Sequence, residues 1–221
     1  MTETDNNWVQ ALWNWADENS VPDLKWIEHD SYLKGGYFRG LPRDEVKLLN
    51  LTELNLLGSQ LSELPAEIGN LVHLKKLYCL DNQLTKLPTQ LSELINLEEL
   101  YLAGNKLKDL PEWIGSLKQL KQLLLQENQL VSLPKEIGEL TNLNVLELGA
   151  NQLSSLPKEI GKLTRLSKLT LWRNRLTKLP IEMDALVNLK EFDCIYNKIE
   201  LVSENIQWLE YLLKKDCQVN I

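Results

Sequence analysis

From residue 51 onward the apolar positions of the chain obey one rule. The string Leu-x-x-Leu-x-Leu-x-x-Asn-x-Leu-x-x-Leu-Pro-x-x-Ile-Gly-x-Leu returns every 23 residues, with its first leucine at Leu51, Leu74, Leu97, Leu120, Leu143, Leu166 and Leu189. Such a period marks units that cannot bury an apolar face alone and must stack on their neighbours. Each unit holds three segments. Residues 99–103 (Glu-Leu-Tyr-Leu-Ala) alternate with period two, which predicts a short strand with its leucines inward, stacked in parallel on the next strand at about 4.8 Å. An asparagine follows at Asn82, Asn105, Asn128, Asn151, Asn174 and Asn197, with Ser59 in its place in the second unit. Its carboxamide offers donors and an acceptor to backbone that bends away from the sheet, so stacked asparagines predict a buried hydrogen-bonded ladder. The third segment, such as 133–138 (Leu-Pro-Lys-Glu-Ile-Gly), predicts a short helical or 3₁₀ turn on the convex side, with proline suiting its start and glycine its exit. Residues 89–92 and 181–184 lack that glycine, so those turns are expected to run differently.

The ends break the rule. Within residues 1–27, Trp8, Leu12 and Trp15 have helical spacing, Asn6 or Asn7 offers a cap, and Ser20-Val21-Pro22-Asp23 reads as the terminating turn. Trp8, Trp13, Trp15 and Trp26 are expected to cover the open apolar end of the stack, as a terminal unit requires. Residues 28–50 read as a degenerate first repeat, with Leu33, Phe38, Leu41, Pro42 and Leu48 at ladder positions and Gly35-Gly36 easing the turn. Residues 51–202 hold the regular units. Beyond Leu189 the pattern decays through Phe192, Cys194, Ile199 and Val202. Residues 203–221 predict a capping helix and tail, with Ser203 as N-cap and Ile206, Leu209, Leu212 and Leu213 at helical spacing; a docking helix for a partner is the alternative.

The Asn-x-Leu followed by Leu-Pro-x-x-Ile-Gly-x-Leu resembles the 23-residue intracellular class of leucine-rich repeats over about residues 28–210. That resemblance implies an α/β solenoid: a horseshoe with a concave parallel β-sheet, helical or 3₁₀ turns on the convex side, and helical caps. It implies a non-enzymatic module that binds a protein or peptide. Repeats this uniform, with short caps, look bacterial. Bacterial effector ubiquitin ligases carry a shorter unit with Leu-Pro-x-Leu-Pro and need a large catalytic domain for which no residues remain here.

Composition narrows the choices. The net charge of −7, from 24 basic and 31 acidic residues, argues against a nucleic-acid partner, whose phosphates would have to be neutralised. No apolar run approaches the roughly 18 residues of a membrane span. The start, Met-Thr-Glu-Thr-Asp, lacks the basic flank and apolar stretch of a secretory signal, and Cys79, Cys194 and Cys217 are odd in number and widely spaced. A cytoplasmic setting is expected, with export of an effector without a cleavable signal peptide as the alternative. His29 and His73 have no cysteine or histidine at ligand spacing, so neither a metal site nor a cofactor is expected. Cys79 and Cys194 fall on inward ladder positions, and an enzyme with a site in the caps is the least favoured reading.

Function is expected between the fixed positions. The residue between the two strand leucines gives the column Tyr32, Asn55, Tyr78, Tyr101, Leu124, Glu147, Thr170 and Asp193. The residue after the second leucine gives Lys34, Leu57, Leu80, Ala103, Gln126, Gly149, Trp172 and Ile195, and the next gives Gly35, Gly58, Asp81, Gly104, Glu127, Ala150, Arg173 and Tyr196. Two patches stand out as candidate partner-binding surfaces. One comprises Leu57, Tyr78, Leu80, Tyr101 and Leu124, with Tyr32 beside it. The other comprises Trp172, Arg173, Arg175, Ile195 and Tyr196. Tyr, Trp and Arg are the residue types enriched in binding hot spots.

Overall fold

The computed structural model describes residues 7–27 and 37–221. The repeats build a horseshoe whose concave wall is an eight-stranded parallel sheet among the described residues. Its strands are β3 (Glu53–Asn55), β4 (Lys76–Tyr78), β5 (Glu99–Tyr101), β6 (Gln122–Leu124), β7 (Val145–Glu147), β8 (Lys168–Thr170), β9 (Glu191–Asp193) and β10 (Gln218–Asn220), preceded in the chain by a hairpin, β1 (Lys25–Ile27) and β2 (Tyr37–Arg39). From β3 to β9 each residue pairs with the one a single repeat away, so Leu77, Leu100, Leu123, Leu146 and Leu169 form one inward row at 0 % exposure.

The asparagine ladder forms as the sequence demands. Asn128 donates from Nδ2 to the carbonyls of Leu102 (2.9 Å), Leu125 and Gln126, and its Oδ1 accepts from the Leu107 amide at 3.0 Å. Asn82, Asn105, Asn151, Asn174 and Asn197 repeat this pattern. Each therefore ties its own strand exit to the unit before it. The residue preceding each ladder position turns left-handed: Gly58, Asp81, Gly104, Glu127, Ala150, Arg173 and Tyr196 have φ between 51° and 66°.

The convex wall is a stack of 3₁₀ turns at Ala66–Asn70, Thr89–Glu93, Glu112–Ser116, Lys135–Glu139, Lys158–Lys162 and Ile181–Ala185. Thr89–Glu93 and Ile181–Ala185 fold like the others despite lacking glycine, against the sequence expectation. The glycine serves another purpose than closing the turn, because a leucine caps each turn at φ near −80°. A Cβ at Gly138 would lie 2.5 Å from the Glu159 carbonyl oxygen, and one at Gly161 would lie 2.2 Å from that of Glu182. Glycine thus lets the following turn approach. Where Ser92 stands instead, the next turn packs less closely, and Ser116 Oγ reaches the Ser92 carbonyl at 3.3 Å.

Helix α1 (Asn7–Glu18) buries Val9, Leu12 and Ala16 against the first 3₁₀ turn, with Trp8, Trp13 and Trp15 packed at its edge. Trp13 Nε1 donates to the Pro42 carbonyl at 3.0 Å. Arg43 clamps the cap, bonding Asp17 (2.7 Å), Asp23 (2.8 Å) and the Trp13 carbonyl. The segment 37–50 does not enter the parallel sheet. Strand β2 pairs antiparallel with β1, Gly40 bridges antiparallel to Asn55, and a short helix α2 (Glu45–Leu49) stands where later units have 3₁₀ turns. Leu41 and Leu48 are buried, whereas Phe38 is 52 % exposed. Leu33 and the Gly35-Gly36 pair lie outside the described residues.

At the other end α3 (Ser203–Lys214) buries Trp208, Leu209 and Leu212, with the Trp208 ring 5.2 Å from that of Phe192. Ser203 is the first helical residue and caps nothing; Val202 takes the cap position, and Ser203 Oγ turns to Glu204. The expected tail is strand β10, which adds itself to β9 in parallel.

Candidate protein-interaction face

Residues at the first and third positions of every strand point out of the concave face, because side chains alternate along a strand. The third-position column is the one read from sequence. The first-position column, Glu53, Lys76, Glu99, Gln122, Val145, Lys168 and Glu191, belongs to the same surface and could have been found from the same alternation. It carries a charge ladder: Lys76 meets Glu99 at 3.1 Å, and Lys168 sits between Glu147 (2.9 Å) and Glu191 (3.3 Å). Partial burial of Lys168 works against its charge, but the two carboxylates win and raise its pKa.

The two candidate patches have different fates. Leu57, Tyr78 and Leu80 are only 6–7 % exposed. With Ala103 they form a second core cluster whose lid is the β1–β2 hairpin, through Tyr37 and Ile27. Tyr78 and Tyr101 stack with ring centroids 4.8 Å apart, and their hydroxyls donate to Glu99 (2.8 Å) and Gln122 (2.7 Å). Burial first, and the Glu99 carboxylate second, hold both phenols well above their ordinary pKa. Tyr101 packs at the rim of this cluster, Leu124 on the next strand is also partly exposed, and Tyr32 lies outside the described residues. The hairpin is what sequence reasoning missed, since its covering residues belong to a segment without the repeat.

The C-terminal patch is open. Tyr196 is 70 % exposed, Arg173 and Arg175 are exposed, and Trp172 and Ile195 are half-buried. The Arg173 guanidinium lies 5.7 Å from the Trp172 ring and 5.6 Å from that of Tyr196, so one cation joins two aromatic rings. The Trp172 indole rests on Gly149, where a Cβ would come within 2.1 Å of Nε1. Glycine there is thus the seat of the tryptophan. On the same sheet, Thr170 Oγ1 and Gln126 Oε1 are buried without a hydrogen-bond partner among the described residues. Arg175 shows no ring or ion-pair contact to the other four.

No group of three or more His, Cys, Asp or Glu side chains suited to a metal ion occurs among the described residues. The three cysteines are free and buried, and burial raises the Cys79 thiol and pushes Cys194 up to about 12. Among the described residues, no helix is long and apolar enough to cross a membrane.

The family pattern described as a leucine-rich repeat region matches residues 112–214, and a second, described as two copies of leucine-rich repeats, matches 72–115. The chain belongs to the leucine-rich repeat proteins. Among solved structures, this leucine-rich repeat chain is similar to a leucine-rich repeat protein of Leptospira interrogans, at 40 % identity and a TM-score of 0.70 over 73 % of its length. It is also similar to an internalin of Listeria monocytogenes, at 26 % identity and a TM-score of 0.66 over 81 %. The chain spans 41 % and 51 % of those two structures. Compared with curated proteins, it has no match.

Proposed function

We propose that this chain is a non-enzymatic interaction module that binds a protein or peptide on the C-terminal half of its concave face. The single observation behind the reading is the open Trp172–Arg173–Tyr196 stack, set beside an N-terminal half that the hairpin already covers. Rigid aromatic anchors with an arginine between them are what hot spots are made of. Fold-level kinship favours binding over catalysis, and the titratable groups clustered on this face, Lys168 with Glu147 and Glu191, are held as ion pairs.

The similarity to proteins of Leptospira and Listeria supports a bacterial source. The buried free thiols suit a reducing compartment, and we place the module in the cytoplasm. A second reading, an exported effector or regulator that binds a host signalling protein, is favoured by the similarity to an internalin. Affinity capture from native lysate with the wild-type chain beside Trp172→Ala/Tyr196→Ala tests the surface and finds the partner. Loss of one specific protein from the variant lane supports the assignment; identical lanes remove this face from consideration. Fractionation of bacterial and host compartments separates the two settings.

A further inference from the structure

Each regular unit leaves its strand through a loop that begins one place after the second inward strand position. The loops at 57–63, 80–86, 103–109, 126–132 and 149–155 each carry a net charge between −1 and +1. The next loop, 172–178, holds Arg173, Arg175 and Lys178 without a carboxylate, a charge of +3 in a chain whose net charge is −7. Lys198 in the following loop, 195–201, extends this basic rim, and Glu200 is the acidic residue of that loop.

Stacking brings these cations together. The Arg175 amide donates to the Leu153 carbonyl and the Lys198 amide to that of Leu176, both at 2.9 Å, so the two side chains leave the backbone from equivalent places on neighbouring units. Earlier units keep cations apart at this place: Gln60, Gln83, Lys106, Gln129 and Gln152 precede Arg175, and Lys106 Nζ donates to the Gln83 amide oxygen at 3.1 Å. Arg175, Lys178 and Lys198 are exposed and have no ion pair among the described residues, while the Arg173 guanidinium has its two ring contacts alone. Like charges on neighbouring units repel. The carboxylates of the adjoining sheet are already engaged: Glu147 and Glu191 hold Lys168, and Asp193 accepts from the Ile195 amide at 3.1 Å and from Asn220 Nδ2 at 3.5 Å.

We infer that the partner presents an acidic peptide segment to this rim, with Asp and Glu flanking an apolar or aromatic residue. The inference rests on reading the Trp172 edge as the binding face. The apolar residue packs against Trp172 and Tyr196, and the carboxylates meet Arg173, Arg175 and Lys198. A guanidinium fork takes a carboxylate through two parallel N–H···O bonds, and the rings on either side of Arg173 hold that fork in place before the partner arrives. Negative charge from the partner also relieves the repulsion between Arg175 and Lys198, and the local positive field steers an acidic segment to this rim of an otherwise acidic molecule. A nucleic-acid strand fits less well, because its phosphates would run on toward Glu127 and Glu200, whereas a short acidic segment ends within the two loops.

The test selects a random dodecapeptide phage library on the full chain and titrates the recovered peptides in synthetic, blocked form. Asp and Glu should be enriched over Lys and Arg around an apolar or aromatic residue. Arg175→Glu/Lys198→Glu, at exposed positions that leave the thermal midpoint unchanged, should weaken each recovered peptide by at least about tenfold, and raising salt from about 50 to about 300 mM should weaken binding to the wild-type chain by a similar factor. Selection on the reversed variant should recover basic peptides instead. Peptides without an acidic excess overturn the inference, as do acidic peptides that bind the reversed variant as tightly as the wild-type chain, a library without binders, or tighter binding of a dodecamer of thymidylate. Failure of the face itself reads differently: acidic peptides then lose affinity in the reversed variant and keep it in Trp172→Ala/Tyr196→Ala.

Discussion

Asn128 shows how one side chain carries four hydrogen bonds that no other residue type of its size could make. Asn128→Ala strands the Leu107 amide in a dry interior, while the Leu102, Leu125 and Gln126 carbonyls keep Asn105, Asn151 and the Gly104 amide as donors, and it should lower unfolding free energy by about 2 kcal/mol, read as a lower urea midpoint at unchanged slope. The left-handed residues before the ladder give a finer test. Gly58 has open space around its Cβ position, so Gly58→Ala meets only the backbone penalty of φ 59°, and about 1 kcal/mol should be lost. Tyr78 and Tyr101 report burial through titration. Their folded pKa values lie above the unfolded one, so the stability from their neutral forms is fully present below the unfolded pKa and is lost as pH rises through the folded values. Phenolate absorbance should therefore stop short of all six tyrosines until alkaline unfolding releases these two. The asparagines and inward leucines were legible from spacing alone, because period and residue chemistry together leave one solution. The orphaned Thr170 hydroxyl was not, since threonine at a variable strand position carries no sign of its surroundings.

The elements explain where the sequence misleads. The convex glycines look like helix exits but answer the approach of the next turn, a relation between units that no single unit displays. Gly138→Ala pushes a methyl group against the Glu159 carbonyl and should cost about 2 kcal/mol, more than Gly58→Ala despite an ordinary φ. Comparing the two midpoints checks it. The β1–β2 hairpin is the second case: Tyr78 and Leu80 read from sequence as exposed because their cover comes from outside the repeat. Tyr37→Ala should uncover that cluster, lower the thermal midpoint by several degrees and increase binding of an apolar dye. Helix α3 is the third, since its extra length shifts β10 by four positions and turns an expected tail into a strand. The cysteines fit the same accounting. Cys79 and Cys194, raised by burial, and Cys217, raised as well, should resist a thiol reagent at pH 8 and react together on unfolding.

At the scale of the whole molecule, the horseshoe divides its concave face into a covered and an open half. Stacked units share one continuous core, so stability is distributed along the repeat and the variable columns are free to differ. That freedom is visible in the placement of Trp172 on Gly149, where the face is open. The decisive measurement is the affinity of the captured partner for the wild-type chain, for Trp172→Ala/Tyr196→Ala and for Tyr101→Ala. A loss of about a hundredfold is expected for the first variant, in line with two hot-spot anchors, with an unchanged thermal midpoint and a much smaller effect at Tyr101. Equal affinity of the wild-type chain and the Trp172→Ala/Tyr196→Ala variant would contradict the assignment.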